Sequence, residues 1–124
     1  LNSDEITPGI YYFDARKNVL KHIVLGKFDE WLEKHVFFQS EWSRSSMMVL
    51  LTSNLGRLTA KYSQRAYRLA LLDIGHVSQN LYLCASSIDL NICASAGYVE
   101  SEIEEAVNID GLEIASFLTL SIGK

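Results

Sequence analysis

The sequence predicts one layered α+β (or α/β) domain built around a long apolar helix. Three observations point there: β-rich runs near both ends, a periodic apolar stretch in the middle, and a length of 124 residues, enough for one core but not two. With 48% hydrophobic and 21% charged residues the composition is that of a packed protein and excludes disorder. A single Pro and seven Gly exclude collagen-like and linker-rich designs.

The elements follow in chain order. Ile10–Asp14 and Val19–Val24 are β-rich and flank the polar Ala15–Asn18, which reads as two strands joined by a short turn. After Gly26, the residues Phe28, Trp31, Leu32, His35 and Val36 recur at helical spacing and predict a short amphipathic helix. Met47–Thr52 is a continuous apolar run of strand length, expected to be buried on both faces. The central helix is expected from about Lys61 to Ile88. Tyr67, Ala70, Ile74, Val77, Leu81, Cys84 and Ile88 alternate spacings of three and four, and Leu69, Leu71, Leu72 and Leu83 widen the stripe beyond one face. From Tyr67 to Ile88 such a helix is about 33 Å long. Asp89–Asn91 is a turn, because Asp and Asn tolerate the left-handed conformation that ends helices. Ile92–Ala96 is then a short strand ending at Gly97. Glu100–Val107 is a second helix, with Ser101 and Glu104 at capping-box spacing, and Ala115–Ile122 alternates as a closing strand. Few other helices are available to cover the central one, so it is expected to face another subunit or the rest of a larger folding unit.

Charge and residue usage narrow the function. Fifteen acidic against eleven basic residues give a net charge of −4, whereas a general nucleic-acid binder needs a basic surface. Cys84 and Cys93 form no CxxC pair, and His22, His35 and His76 are scattered, so no metal site is expected. Leu1–Glu5 shows no basic n-region or apolar h-region, and the Leu69–Leu90 stretch is interrupted by Asp73, His76, Gln79 and Asn80. The expectation is therefore a reduced, cytoplasmic protein without a membrane span.

Several groups have chemical potential. Arg57, Lys61, Arg65 and Arg68 are spaced 4, 4 and 3, and no acid occurs between Trp42 and Leu72. On a continuous helix they share a face, either a solvated basic face or a holder for phosphate or carboxylate. Lys61-Tyr62 pairs a cation with a phenol, which favours the phenolate and makes Tyr a feasible general base; a first-turn Lys beside a core-packed Tyr is the plainer alternative. In Ala94-Ser-Ala-Gly97-Tyr98, small residues join a strand to a helix and let backbone approach a flat ring or an anion, although ordinary packing explains them equally well. Glu100, Glu102, Glu104, Glu105, Asp110 and Glu113 read as a solvated acidic face. His76 and Asn80, at i,i+4, read as buried polar groups, and Gly75 as a close helix approach or room for a ligand.

Taken together, Lys61-Tyr-Ser-Gln-Arg-Ala-Tyr-Arg68, Leu71-Leu-Asp-Ile-Gly-His76, Gln79-Asn-Leu-Tyr-Leu83, Asp89-Leu-Asn91, Ala96-Gly-Tyr98, Asn108-Ile-Asp110 and Ile122-Gly-Lys124 resemble the second half of the SagB/ThcOx-type azoline dehydrogenases, a branch of the nitroreductase-fold flavoproteins. The resemblance implies an α+β nitroreductase-like fold, present as a single partial domain over residues 1–124 with a long central helix. It implies an FMN-dependent oxidation of thiazolines and oxazolines to thiazoles and oxazoles in ribosomal peptide natural products. Lys61 and Tyr62 would be catalytic, Tyr62 as base and Lys61 as its electrostatic partner. Ala96 and Gly97 would lie along the flavin, and Arg65 and Lys124 would serve the cofactor. A homodimer with FMN at the subunit interface is implied, with a peptide substrate and possible companion subunits of a peptide-modifying synthetase. The family's Arg-rich phosphate motif and Ser/Gly-rich loop have no counterpart here, and Asp89, Asn91 and Ala96 stand where the family has glycines. Two other functions are compatible with this fold, a non-catalytic scaffold subunit and a general nitro- or quinone-reducing flavoprotein.

Overall fold

Two sheets organise the chain in the computed structural model, which describes residues 6–37 and 45–123. The first is a hairpin of β1 (Gly9–Asp14) and β2 (Val19–Leu25), antiparallel, with a bulge between Ile10 and Tyr11. Its turn is held by Asp14, whose carboxylate accepts the Arg16 and Lys17 amides at 3.1 and 3.3 Å and the Lys21 ammonium at 2.6 Å. The Lys21 bond, more than any other contact, holds the Asp14 carboxyl below the usual carboxylate range. Asn18 takes the left-handed conformation that closes the turn. The hairpin makes at most marginal contact with other described elements, so Tyr12, Phe13, Leu20 and Leu25 stay exposed. A two-stranded ribbon with apolar residues uncovered is stable only when something packs against it.

The second sheet has the order β3 (Met47–Asn54), β5 (Ile114–Gly123), β4 (Asn91–Ser95), all antiparallel neighbours. The expected strands and their order are confirmed, but β3 is half-buried rather than covered on both faces. β5 is the central strand and carries most of the burial, with Ala115, Ser116, Thr119, Leu120 and Ile122 inside. A small core joins this sheet to the chain before it: Val36, Phe37, Tyr98 and Ile103, packed with Trp31, Leu32, Met48 and Leu50. The predicted amphipathic helix is a three-residue α1 (Asp29–Trp31) continued by a π turn over Leu32–Val36. The wider turn ends with Val36 and Phe37 both buried, and Phe37 bridges Tyr98.

The helical middle departs from expectation. Helix α2 (Leu55–Tyr62) precedes the central helix α3 (Ala66–Ser87), with a 3-10 turn at Ser63–Arg65 between them. Asn54 caps α2 by accepting the Arg57 amide at 2.8 Å. Ser63, at φ 49 and ψ −129, breaks the helix, so Arg57, Lys61, Arg65 and Arg68 do not share one continuous helical face. Helix α4 (Glu100–Val107) has the predicted bounds, but Val99 is its N-cap and no side chain caps it. Glu104 instead reaches across to β5, where Oε1 accepts the Ser116 amide at 2.9 Å and the Ser116 hydroxyl at 2.8 Å. Its other oxygen lies so close to Gly111 (φ +69) that a Cβ there would collide with it. Asp110 is also structural: Oδ1 accepts the amides of Leu112, Glu113 and Ile114 at 3.0, 2.9 and 3.0 Å. The predicted acidic face is thus in part a set of loop clamps.

α3 is covered on one side only. Ala66, Ala70, Ser78 and Ala85 are buried, whereas Leu71, Leu72, Val77 and Leu83 are exposed. His76 and Asn80 are exposed too, so they are not buried polar groups in this chain, and a Cβ on Gly75 would meet nothing within 4 Å. The expectation that α3 needs a further partner agrees with this apolar exposure.

Candidate functional site

Strand direction sets out the candidate residues. β3 and β4 each pair antiparallel with β5, so they run parallel to each other and their C-terminal ends lie at the same end of the sheet. β3 runs on to Ile114 of β5, whereas β4 stops at Thr119. From the first end α2 departs, and Lys61 and Tyr62 close it about 12 Å of helix later. From the second end the chain turns through Ala96 and Gly97 into α4.

Lys61 and Tyr62 are neighbours in space as well as in sequence. The Lys61 ammonium sits over the Tyr62 ring, 5.0 Å from its centroid, a cation–π arrangement. Tyr62 is 40% exposed, and among the described residues its hydroxyl has no hydrogen-bond partner. Arg65 is exposed at the N-cap of α3. Among the described residues, Arg57, Lys61, Arg65 and Arg68, on α2, the 3-10 turn and α3, form no ion pair. Lys124 lies outside the described residues.

The Ala96–Gly97 turn is held on both sides while its own residues stay exposed. The Gly97 amide donates to Ser95 Oγ at 2.9 Å, and the Thr119 hydroxyl donates to the Ser95 carbonyl at 2.9 Å. Just before them the Ala94 amide donates to the Tyr82 hydroxyl of α3 at 2.8 Å. Just after them Tyr98 is buried, and the Val99 amide donates to the Val36 carbonyl at 2.9 Å. Burial pushes the Tyr98 phenol above its ordinary range, and the charges of Glu100 and Glu104 add to this. Among the described residues the Ala96 amide has no partner, so it is free to meet a ligand.

Open grooves among the described residues lie beside α3. One of about 450 Å³, at the α2–α3 junction, is lined by Leu55, Thr59, Ser63, Gln64, Ala66 and Tyr67. Tyr67 also packs on Phe117 of β5, ring centroids 5.6 Å apart. Another, of about 520 Å³, is lined by Tyr82, Ser86, Asp89, Leu90, Asn91 and Ile92. Neither includes Lys61, Tyr62, Arg65, Ala96 or Gly97, so the predicted residues line neither groove of a single copy. The first groove was not legible because no helix is expected between Thr52 and about Lys61; the available signal was Asn54, a helix-capping residue three positions before Arg57. Thr119 and Tyr82 had no signal, since each meets the turn only through long-range contacts. Among the described residues no three His, Cys, Asp or Glu side chains converge on a metal position. Nor is any helix there long and apolar enough to cross a membrane.

MJ1384 of Methanocaldococcus jannaschii, a provisionally assigned nitroreductase, is 24% identical over 104 residues, 84% of this chain and 52% of its own length. The microcin B17-processing protein McbC of Escherichia coli is 35% identical over 63 residues, 51% of this chain and 23% of McbC. This chain thus spans about half of the first relative and a quarter of the second. Among solved structures, a provisionally assigned nitroreductase from Anabaena variabilis superposes with a TM-score of 0.89 at 23% identity, over 98% of this chain and 25% of that one. A chain of the E. coli microcin synthetase McbBCD complex, solved with truncated pro-MccB17 bound, gives 0.74 at 21% identity over 92% of this chain and 43% of that one. These structural likenesses establish the fold, and the nitroreductase family profile matches residues 12–124, so this chain belongs to the nitroreductase family with an α+β nitroreductase-like fold.

Proposed function

We propose that this chain is a single partial domain, residues 1–124, of a cytoplasmic FMN-dependent dehydrogenase of the SagB/ThcOx type, one that oxidises peptide thiazolines or oxazolines to thiazoles or oxazoles. The observation that carries the reading is the 35% identity to McbC over 63 residues. The residues present suit a flavin: an exposed turn with no side chain at Gly97 and, among the described residues, an unpaired Ala96 amide and cations without ion pairs, Arg65 included. Ala96 and Gly97 would lie along the ring system, and Arg65 and Lys124 would serve the phosphate.

Aromatising an azoline removes one proton and one hydride from the ring. Bound flavin supplies the two-electron acceptor for the hydride. Tyr62 Oη, acting as the phenolate, takes the proton and becomes the neutral phenol; the side chain is exposed and the oxygen uncommitted among the described residues. The Lys61 ammonium, seated over that ring, supplies the positive field that steadies the phenolate before it takes the proton. The remaining walls of the site would come from a second copy packed on the exposed apolar residues of α3 and the β1–β2 hairpin, a homodimer, with further synthetase subunits delivering the peptide.

In the full-length protein, Tyr62→Phe is expected to lower azole formation at least about a hundredfold while the flavin absorption bands remain. Full turnover by that variant removes Tyr62 from the chemistry. Full-length protein that stays colourless after incubation with FMN supports instead a non-catalytic scaffold subunit. A general nitro- or quinone-reducing flavoprotein is the second reading, favoured by the likeness to MJ1384 across 84% of the chain. It requires reduction of small nitroaromatics or quinones to survive the loss of both Lys61 and Tyr62.

A further inference from the structure

One residue of the neighbouring strand, Thr119, enters the hydrogen bonds that hold the Ala96–Gly97 turn. Thr119 lies on β5 directly opposite Ser95, at the last paired position of β4, and is 0% exposed. A hydroxyl in such a place needs a partner, and it donates to the Ser95 carbonyl at 2.9 Å. Ser95 then uses its own hydroxyl oxygen to accept the Gly97 amide at 2.9 Å. Ser95 is therefore gripped from the sheet side and in turn folds the backbone back on itself. This leaves the Ala96 amide as the turn's uncommitted donor among the described residues. Buried Tyr98, bridged to Phe37, fixes the exit.

We infer that Thr119, acting through Ser95, is the positioning residue that aims the Ala96 amide and the bare Gly97 backbone at the ligand. The inference rests on the flavin reading above, with Thr119 touching neither cofactor nor substrate. A side chain of the same shape without the donor loosens the turn; a smaller one that keeps the donor does not.

The test uses the full-length protein with Thr119→Val, Thr119→Ser and wild type compared. Thr119→Val removes one hydrogen bond, so exchange of the Gly97 amide is expected to quicken about fivefold and the Kd for added FMN to rise by a similar factor, with a shifted flavin absorption band. Thr119→Ser is expected to restore all three. Unchanged Gly97 exchange in Thr119→Val overturns the inference. Faster exchange with unaltered FMN affinity and spectrum also overturns it, because the turn would then be held for reasons unrelated to the ligand, and the Tyr62 chemistry would stand untouched. Wild-type protein that binds no FMN removes the underlying flavin reading, and the inference with it. If Thr119→Val fails to fold, Ser95→Ala takes its place. It removes the acceptor of the Gly97 amide at a half-buried position and is expected to weaken FMN about fivefold, unaltered affinity again counting against the inference.

Discussion

Replacing Glu104 by Ala tests whether a half-buried carboxylate holds α4 to the sheet. Oε1 accepts two donors from Ser116, the amide at 2.9 Å and the hydroxyl at 2.8 Å, and Ser116 is only 9% exposed. A hydrogen bond to a charged acceptor contributes about 1.5–3 kcal/mol, and a buried donor left unpaired costs about 1–3 kcal/mol. The hydroxyl can rotate to another acceptor but the amide cannot, so one full penalty and part of a second apply. The expected loss is about 3 kcal/mol. With a urea m-value of about 2 kcal/mol/M, the midpoint falls by about 1.5 M. Glu104→Gln keeps an acceptor without the charge and is expected to lose about 1 kcal/mol. Because the two side chains share one bond, the double variant Glu104→Ala with Ser116→Ala should lose less than the sum of the single variants. Equilibrium unfolding of the full-length protein, followed by circular dichroism, measures all of these. A Glu104→Ala midpoint within about 0.2 M of wild type would refute the clamp, since an effect that small means that the Ser116 donors have other partners.

Two further outcomes follow from the described geometry. The amides of Ile114, Leu112 and Glu113 hold the Asp110 carboxyl below its ordinary range. Its contribution to stability is therefore complete above the usual aspartate pKa and is lost as pH falls through the depressed folded value. Amide shifts and exchange at residues 112–114 should stay constant from neutral pH to the ordinary aspartate range and change only below it; a transition centred at the ordinary value would contradict the triple bond. Leu83 is 61% exposed on the uncovered side of α3. If that side seats a second copy, Leu83→Glu should convert the full-length dimer to monomer in light scattering while helix content is kept. An unchanged mass would mean that this side of α3 seats no second copy.

What could be read from residues alone depended on how local the cause was. β1 and β2 are legible because Ala15–Asn18 is a polar break between β-rich runs, and the left-handed Asn18 closes it. The bounds of α4 are legible because Gly97 and Asn108 bracket an amphipathic stretch, yet its expected Ser101–Glu104 capping box is absent. Ser116, twelve positions away in the chain, offers Glu104 two donors where the N-cap offers one, and only packing brings it near. The expected continuous helix through Lys61 fails at Ser63, a residue with no breaker signature that takes φ 49. The Lys61–Tyr62 pairing was legible because adjacent residues cannot be far apart. Its setting at the end of α2, away from the two grooves, was not.

Sequence by itself determined the strands, the helices other than α2, the apolar excess of the central helix and the family resemblance, because periodicity, turn chemistry and short motifs act within a few residues of one another. The tertiary structure alone decided which acids became loop clamps, which side of α3 stayed uncovered, and that Thr119 grips Ser95. Those outcomes depend on hydrogen bonds and burial between residues far apart in the chain, whose pairing is settled only when β5 takes its place between β3 and β4.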